Sequence, residues 1–232
     1  MLTLRDLNVY HGSSHTLKDV SFSLEQGEVL CLFGRNGAGK TTTLKAIMGL
    51  LPTHSGTVAL DAVELNALPA HEVPKRGIGY VPQGRRLFAE LTVAENLEIG
   101  LMTRKTDRRI LDEVFSLFPV LKERLSQVSG TLSGGEQQML AMGRALCIDP
   151  SVVLLDEPTE GLMPSMIATI RDVILELKKS GKAVFLVEQR IDAVLAVADR
   201  VCFIENGAVK AVMQTEALRA DPALFKQYAG VV

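Results

Sequence analysis

Eight consecutive residues, Gly34-Arg35-Asn36-Gly37-Ala38-Gly39-Lys40-Thr41, have the types and spacing of G-x-x-x-x-G-K-[ST], a loop suited to holding phosphate. Gly34, Gly37 and Gly39 let backbone N–H groups approach phosphate oxygens with no Cβ in the way. A helix starting near Lys40 adds its positive end, and the Lys40 ammonium reaches the terminal phosphates. The Thr41 hydroxyl is a hard oxygen donor placed to ligate Mg²⁺. The string predicts a nucleoside triphosphate, ATP, held by residues 34–41 and by Thr42 beyond them.

Two further groups of residues fit the same chemistry. Asp156 and Glu157 end the apolar run Val152-Val153-Leu154-Leu155. Carboxylates at the carboxyl end of a buried strand lie beside the ligand crevice of an open α/β sheet. Asp156 is expected to hold Mg²⁺ through water, and Glu157 to polarise the attacking water. Ser133, Gly134 and Gly135 precede a long helical pattern, so they offer a hydroxyl and backbone donors at a helix start, a second anion site. One nucleotide cannot meet both anion sites of one chain if they lie on different subdomains.

Short apolar segments alternate with longer amphipathic ones, which predicts an α/β fold with a mostly parallel central sheet. Strands are expected at 2–10, 17–24, 29–33, 57–60, 77–81, 152–155 and 183–187. The 29–33 run is apolar throughout, as a buried strand feeding the phosphate loop should be. From Lys40, Leu44, Ile47, Met48 and Leu51 recur at helical spacing, and Pro52 is expected to end that helix. Helices without strands are expected across 92–146, broken at Pro119 and at Ser129-Gly130. Met166, Ile167, Ile170, Val173, Ile174 and Leu177 form one face of a helix closed by Gly181. Glu205-Asn206-Gly207 between 201–204 and 208–212 is a hairpin signal.

The 232 residues suffice for one substantial core with an inserted subdomain. A net charge of −2 gives no electrostatic case for nucleic acid. Cys31, Cys147 and Cys202 are scattered in apolar contexts and read as core residues in a reducing compartment. No apolar stretch approaches the ~20 residues a bilayer requires, and no signal peptide is visible. The expectation is a cytoplasmic protein whose membrane role comes through a partner.

Over essentially its whole length the chain resembles the nucleotide-binding subunit of ATP-binding-cassette (ABC) transporters. Leu132-Ser133-Gly134-Gly135-Glu136-Gln137-Gln138 is similar to the signature sequence of that family. Gln83, in Tyr80-Val81-Pro82-Gln83, matches its glutamine loop, which implies contact with Mg²⁺ and a link between the sheet core and the helical subdomain. Tyr10 sits where the family stacks an aromatic ring on adenine. The resemblance implies a P-loop NTPase with an N-terminal antiparallel β subdomain. It also implies one domain, with 1–83 and 149–232 as the nucleotide-binding core and about 84–148 as the helical subdomain. It further implies head-to-tail pairing with a second ATPase subunit, each signature closing over the partner's nucleotide.

Two positions depart from the common pattern. The usual switch histidine is replaced in Val187-Glu188-Gln189, and all four histidines precede Gln83. Gln189 can donate a hydrogen bond to phosphate or orient water, but it cannot become a cation. Met163 stands where many relatives carry Asp. With Gly84-Arg85-Arg86-Leu87-Phe88 and Leu91-Thr92-Val93-Ala94-Glu95-Asn96-Leu97, the switch resembles the smaller ATPases of branched-chain amino-acid importers and their urea and short-chain-amide relatives. That branch implies a peripheral location on the inner face of the membrane, polytopic permeases docked on 85–97 and, indirectly, a solute-binding protein. Urea or amide import, and a soluble ATPase of iron–sulfur assembly type, remain the alternatives.

Overall fold

The computed structural model describes residues 1–229. The chain opens with β1 (Leu2–His11) and β2 (Ser14–Leu24), then β3 (Val29–Phe33), the phosphate loop and α1 (Lys40–Ile47). Next come β4 (Ser55–Leu60), β5 (Val63–Glu64) and β6 (Ile78–Val81). The helices α2 (Val93–Arg104), α3 (Ile110–Leu117), α4 (Pro119–Glu123) and α5 (Gly134–Leu146) follow without a strand. The chain then returns to β7 (Val152–Asp156), α6 (Pro164–Lys179), β8 (Ala183–Glu188) and α7 (Ile191–Val197). It finishes with β9 (Arg200–Glu205), β10 (Ala208–Gln214), α8 (Thr215–Ala220) and α9 (Ala223–Ala229).

The strands form two sheets. The larger has the order β10-β9-β3-β8-β7-β6, parallel throughout except for the β9–β10 hairpin. The smaller, β2-β1-β4-β5, is antiparallel. Alternation along β3 explains the layering. Val29, Cys31 and Phe33 face a core shared with α2, α5 and α6, while Leu30 and Leu32 face one shared with α1 and the smaller sheet. A strand covered on both faces must be apolar at every position, and all five residues of β3 are buried. Phe22 stacks on Phe185 across the two sheets at 5.0 Å. Phe33 meets Phe225 edge-on at 5.1 Å, which fastens α9 to the larger sheet.

In the helical stretch, α2 and α5 approach unusually closely. A Cβ at Gly100 would fall 2.4 Å from the Arg144 carbonyl oxygen, so only glycine fits there. Asn96, buried on α2, ties down the preceding segment. Its amide donates to the Phe88 carbonyl (3.1 Å) and the Ser129 hydroxyl (3.2 Å), and its oxygen accepts from the Phe88 N–H (3.1 Å).

One helix boundary differs from the sequence expectation. The helix after the phosphate loop stops at Ile47, before Leu51 and Pro52, because Gly49 adopts the left-handed conformation (φ 67°). Its N–H and that of Leu50 then close back on Ala46 and Lys45, a Schellman ending. The break expected at Pro119 is present: α3 ends at Leu117, Phe118 leaves the helical conformation, and Pro119 takes the first position of α4, where its missing N–H has no partner to lose. A break that the pattern did not announce falls after α2, where Lys105 is left-handed.

Candidate functional site

The phosphate loop leaves β3 and enters α1 with nothing capping the helix. Gly39, the N-cap, has φ 110° and no side-chain bond, and no acid lies in the first turn. A Cβ there would sit 2.7 Å from Leu17 Cδ2 in a conformation that L side chains rarely adopt. The helix start therefore keeps its positive end open to an anion. Lys40 folds back over the loop, and its Nζ donates to the carbonyls of Gly34 (2.8 Å) and Arg35 (3.1 Å). Burial lowers the Lys40 pKa, opposed by the carboxylates of Glu157 and Asp156, so its charge rests on those acids.

Glu157 follows β7 in the left-handed region (φ 50°), a conformation that costs a non-glycine residue about 1–3 kcal/mol. Its N–H donates to the Val187 carbonyl (2.9 Å), which holds the turn. The carboxylate is thereby brought to 3.8 Å from Lys40 Nζ and 2.5 Å from Gln189 Nε2. Gln189 lies just beyond β8, so three separate segments converge on one carboxylate.

Asp156 lies deeper, at the end of β7. Its Oδ1 accepts from the Thr41 hydroxyl (3.2 Å), whereas its buried Oδ2 has no partner. Burial raises its pKa to about 6, against the Thr41 hydrogen bond and together with repulsion from Glu157. A buried carboxylate with one idle oxygen, its other bonded by the Thr41 hydroxyl, makes with that hydroxyl a hard-oxygen donor pair that fits Mg²⁺.

A cavity of about 430 Å³ opens over these groups, lined by Asn36, Gly37, Gly39, Lys40, Thr41, Thr42, Gln83, Glu157 and Gln189, with Thr16 and Glu160 completing the wall. Gln83 donates to Glu160 Oε2 at 2.9 Å. Gly34 and Arg35 lie behind the cavity as acceptors for Lys40, and the Ala38 carbonyl accepts the Gly207 N–H (2.9 Å). Tyr10 does not line it. Its ring stacks on His15 at 4.3 Å and meets His54 edge-on at 5.0 Å.

Ser133, Gly134 and Gly135 do not join this cavity either. They form the start of α5, where Ser133 and Glu136 make a reciprocal capping box: the Ser133 N–H donates to Glu136 Oε2 (2.8 Å) and the Glu136 N–H to Ser133 Oγ (3.4 Å). Gly135 abuts Met166 of α6, where a Cβ would come within 2.5 Å of Met166 Cε. Met163, at the end of the loop that carries Glu157, is 68% exposed.

Three residues that sequence reasoning passed over belong to this neighbourhood. Glu188, only 3% exposed, accepts from the Thr159 hydroxyl (2.7 Å) and the Gln189 N–H (3.3 Å). Glu160 holds Gln83. For Glu188 the available signal was the one that singled out Asp156 and Glu157, an acid ending an apolar strand. For Thr159 and Glu160 only nearness to Glu157 in sequence pointed the way.

A parallel sheet, a glycine loop feeding a helix and paired acids on the neighbouring strand define a P-loop nucleotide-binding cassette. The ABC transporter family profile matches residues 17–160. The chain belongs to the ABC transporter family. It is 43% identical to the high-affinity branched-chain amino acid transport ATP-binding protein BraG of Pseudomonas aeruginosa, over 99% of this chain and all of that one. It is 40% identical to the probable branched-chain amino acid transport ATP-binding protein LivF of Archaeoglobus fulgidus, over 90% of each. Among solved structures, a dimeric post-hydrolysis ATP-binding cassette bound to ADP and Pi superposes with a TM-score of 0.83 at 27% identity, covering 93% of this chain and 99% of that one. No helix among the described residues is long and apolar enough to cross a membrane.

Proposed function

We propose that the chain is the ATP-hydrolysing subunit of an importer for branched-chain amino acids, working at the inner face of the membrane. The observation that carries this is the convergence of Lys40, Glu157 and Gln189 on one cavity beside the Thr41–Asp156 pair. Lys40 and the α1 amides bind the phosphates of ATP. Glu157 accepts the proton of the attacking water, and general-base assistance of this kind is typically worth about 10²–10⁴-fold. Gln189 orients that carboxylate and the water through its amide. Asp156, Thr41 and Gln83 hold Mg²⁺, which neutralises charge developing on the phosphate oxygens.

Ser133 and its glycine neighbours start a helix outside this cavity, so they serve a second subunit's nucleotide in a head-to-tail pair. The dimeric neighbour supports pairing of two cassettes. The nucleotide-binding core comprises 1–83 and 149–232, and 84–148 moves as a helical unit bearing the signature. Tyr10 would stack on adenine, which requires the ring to exchange its partner His15 for the base.

A groove of about 430 Å³, bounded by Leu50, Tyr80, Pro82, Ile99 and Thr103 between the sheet and α2, supports the docking of a membrane subunit. It lies beside 85–97, where Phe88 is half exposed beneath the Arg144 guanidinium, 5.3 Å from its ring. The names of the two relatives support branched-chain cargo.

The test is uptake of labelled leucine and of urea into vesicles containing this chain, its partner ATPase, the permeases and the binding protein. ATP-dependent leucine uptake is expected. Urea uptake without leucine uptake would transfer the chain to the amide branch.

A further inference from the structure

Glu188 ends β8 and, with Thr159, borders the gap between α6, α7 and β8; neither residue lines the nucleotide cavity. Its carboxylate is nevertheless heavily bonded. One oxygen accepts from the Thr159 hydroxyl (2.7 Å) and the other from the Gln189 N–H (3.3 Å), and the Thr159 N–H bonds the group as well. Burial raises the Glu188 pKa and the Glu157 charge adds to the rise, while those hydrogen bonds oppose it. The Arg190 guanidinium, paired with Asp192, is also in charge contact with it. Burying a carboxylate is dearer than burying an apolar residue of its size, so fold stability alone does not account for its presence here.

What these bonds hold is the turn after β7. Glu157 sits there in the left-handed region, and a non-glycine residue stays in that region only where its surroundings over-determine it. Two consecutive residues of β8 restrain the turn from outside. The Val187 carbonyl takes the Glu157 N–H (2.9 Å), and the Glu188 carboxylate takes both donors of Thr159. The next residue, Gln189, has its N–H on the same carboxylate and its side-chain amide on Glu157 Oε1. A closed ring results. It runs from Glu157 along the chain to Thr159, by hydrogen bonds to Glu188 and on to Gln189, and from the Gln189 amide back to Glu157. An ionised carboxylate suits this ring, because it only accepts and all three of these groups donate to it.

We infer that Glu188 is a positioning residue for ATP hydrolysis: through Thr159 and the Gln189 N–H it sets the Glu157 carboxylate against the Gln189 amide, in the geometry that meets the attacking water. The inference rests on the assignment of Glu157 as the base. Glu188 lies outside the cavity and moves no proton. Its effect falls on how well the base is placed, hence on kcat and not on affinity for ATP.

Kinetics of Glu188→Gln supply the test. The amide has the same shape but must turn an NH₂ toward one of the donors. A fall in kcat of about ten- to a hundredfold is expected, with KM for ATP and fluorescent-nucleotide affinity within about twofold of wild type. Thr159→Val should behave alike, whereas Thr159→Ser keeps the hydroxyl and should hold kcat within about threefold. Melting curves confirm that each variant is folded, and if Glu188→Gln is not, the Thr159 pair decides. In the Glu157→Gln background, Glu188→Gln should change the residual single-turnover rate by less than about twofold, because its effect passes through the missing carboxylate. Wild-type kcat in folded Glu188→Gln or Thr159→Val, a parallel loss of nucleotide affinity, or an undiminished further loss on top of Glu157→Gln would overturn the inference. Turnover abolished by Glu157→Gln but untouched by Glu188→Gln defeats the positioning role and leaves the base. Turnover retained by Glu157→Gln defeats the base, and the positioning role with it.

Discussion

Two helices in this molecule begin after glycine-rich turns, and they treat their own amides in opposite ways. At α1 the N-cap is a glycine with no side chain to offer and no acid nearby, so the donors stay available. At α5 Ser133 and Glu136 satisfy the helix start from within the chain, and the Ser133–Glu136 bonds hold the Glu136 pKa below the usual carboxylate range. The first start therefore leaves its positive end open to an anion. The second has its Ser133 and Glu136 N–H groups already engaged, and an incoming anion must compete with Glu136 for the first of them. On the function proposed above, gripping ATP with one helix start and touching a partner's ATP more weakly with the other would let the pair open again after hydrolysis.

The comparison is tested most severely at Glu157. Glu157→Gln should lower ATP turnover at least about 100-fold while nucleotide binding survives, because phosphate contacts come from α1 and Lys40. Steady-state turnover beside fluorescent-nucleotide titration reads both. Retention of more than a tenth of the activity would place the base elsewhere.

The Mg²⁺ dependence of nucleotide binding should carry the mark of Asp156. Its pKa is raised to about 6, so the metal must displace a proton below that pH. Affinity for Mg·ATP should fall up to about tenfold per pH unit below pH 6, and Asp156→Asn should remove that step. Stability of the metal-free protein runs the other way. The folded state holds this proton more tightly than the unfolded chain, so stability declines as pH rises from about 4 through about 6. Opposite slopes in a binding titration and a melting series would identify one group behind both.

Gln189→Ala should slow turnover roughly tenfold or more, the loss of one hydrogen bond to a charged group worth about 1.5–3 kcal/mol. The turnover profile should show no histidine-like step from this position. The smallest effect belongs to the other helix start. Ser133→Ala removes an N-cap worth about 1 kcal/mol, a melting shift of roughly 2–4 °C for a chain of this size. It should leave monomer ATP affinity unchanged and weaken only nucleotide-dependent pairing. A loss of monomer affinity would erase the distinction between the two starts.

The α1 end was legible in sequence because each of its parts is local. An apolar strand, a glycine loop and a lysine follow one another within a dozen positions, and backbone geometry does the rest. The acids of β7 were legible by a positional rule, since a carboxylate at the end of a buried strand has few places to point. Contacts made by distant segments were not. Nothing in the order of residues announces that Gln83 bonds Glu160, or that Glu188 is sealed under Thr159. The self-capping of α5 was there to be read, as Ser133 and Glu136 have capping-box spacing, yet the same serine also fits an anion site and only geometry separates the uses. The early end of α1 escaped because Leu51 continues the apolar period, while Gly49 carries the stronger conformational instruction.

The grip of Lys40 on its own loop has a kinetic side. With the ammonium already anchored on the Gly34 and Arg35 carbonyls, an arriving triphosphate meets a finished receptacle and has no floppy segment to tame. Differences in affinity among variants of this loop should then fall mainly on how fast nucleotide leaves.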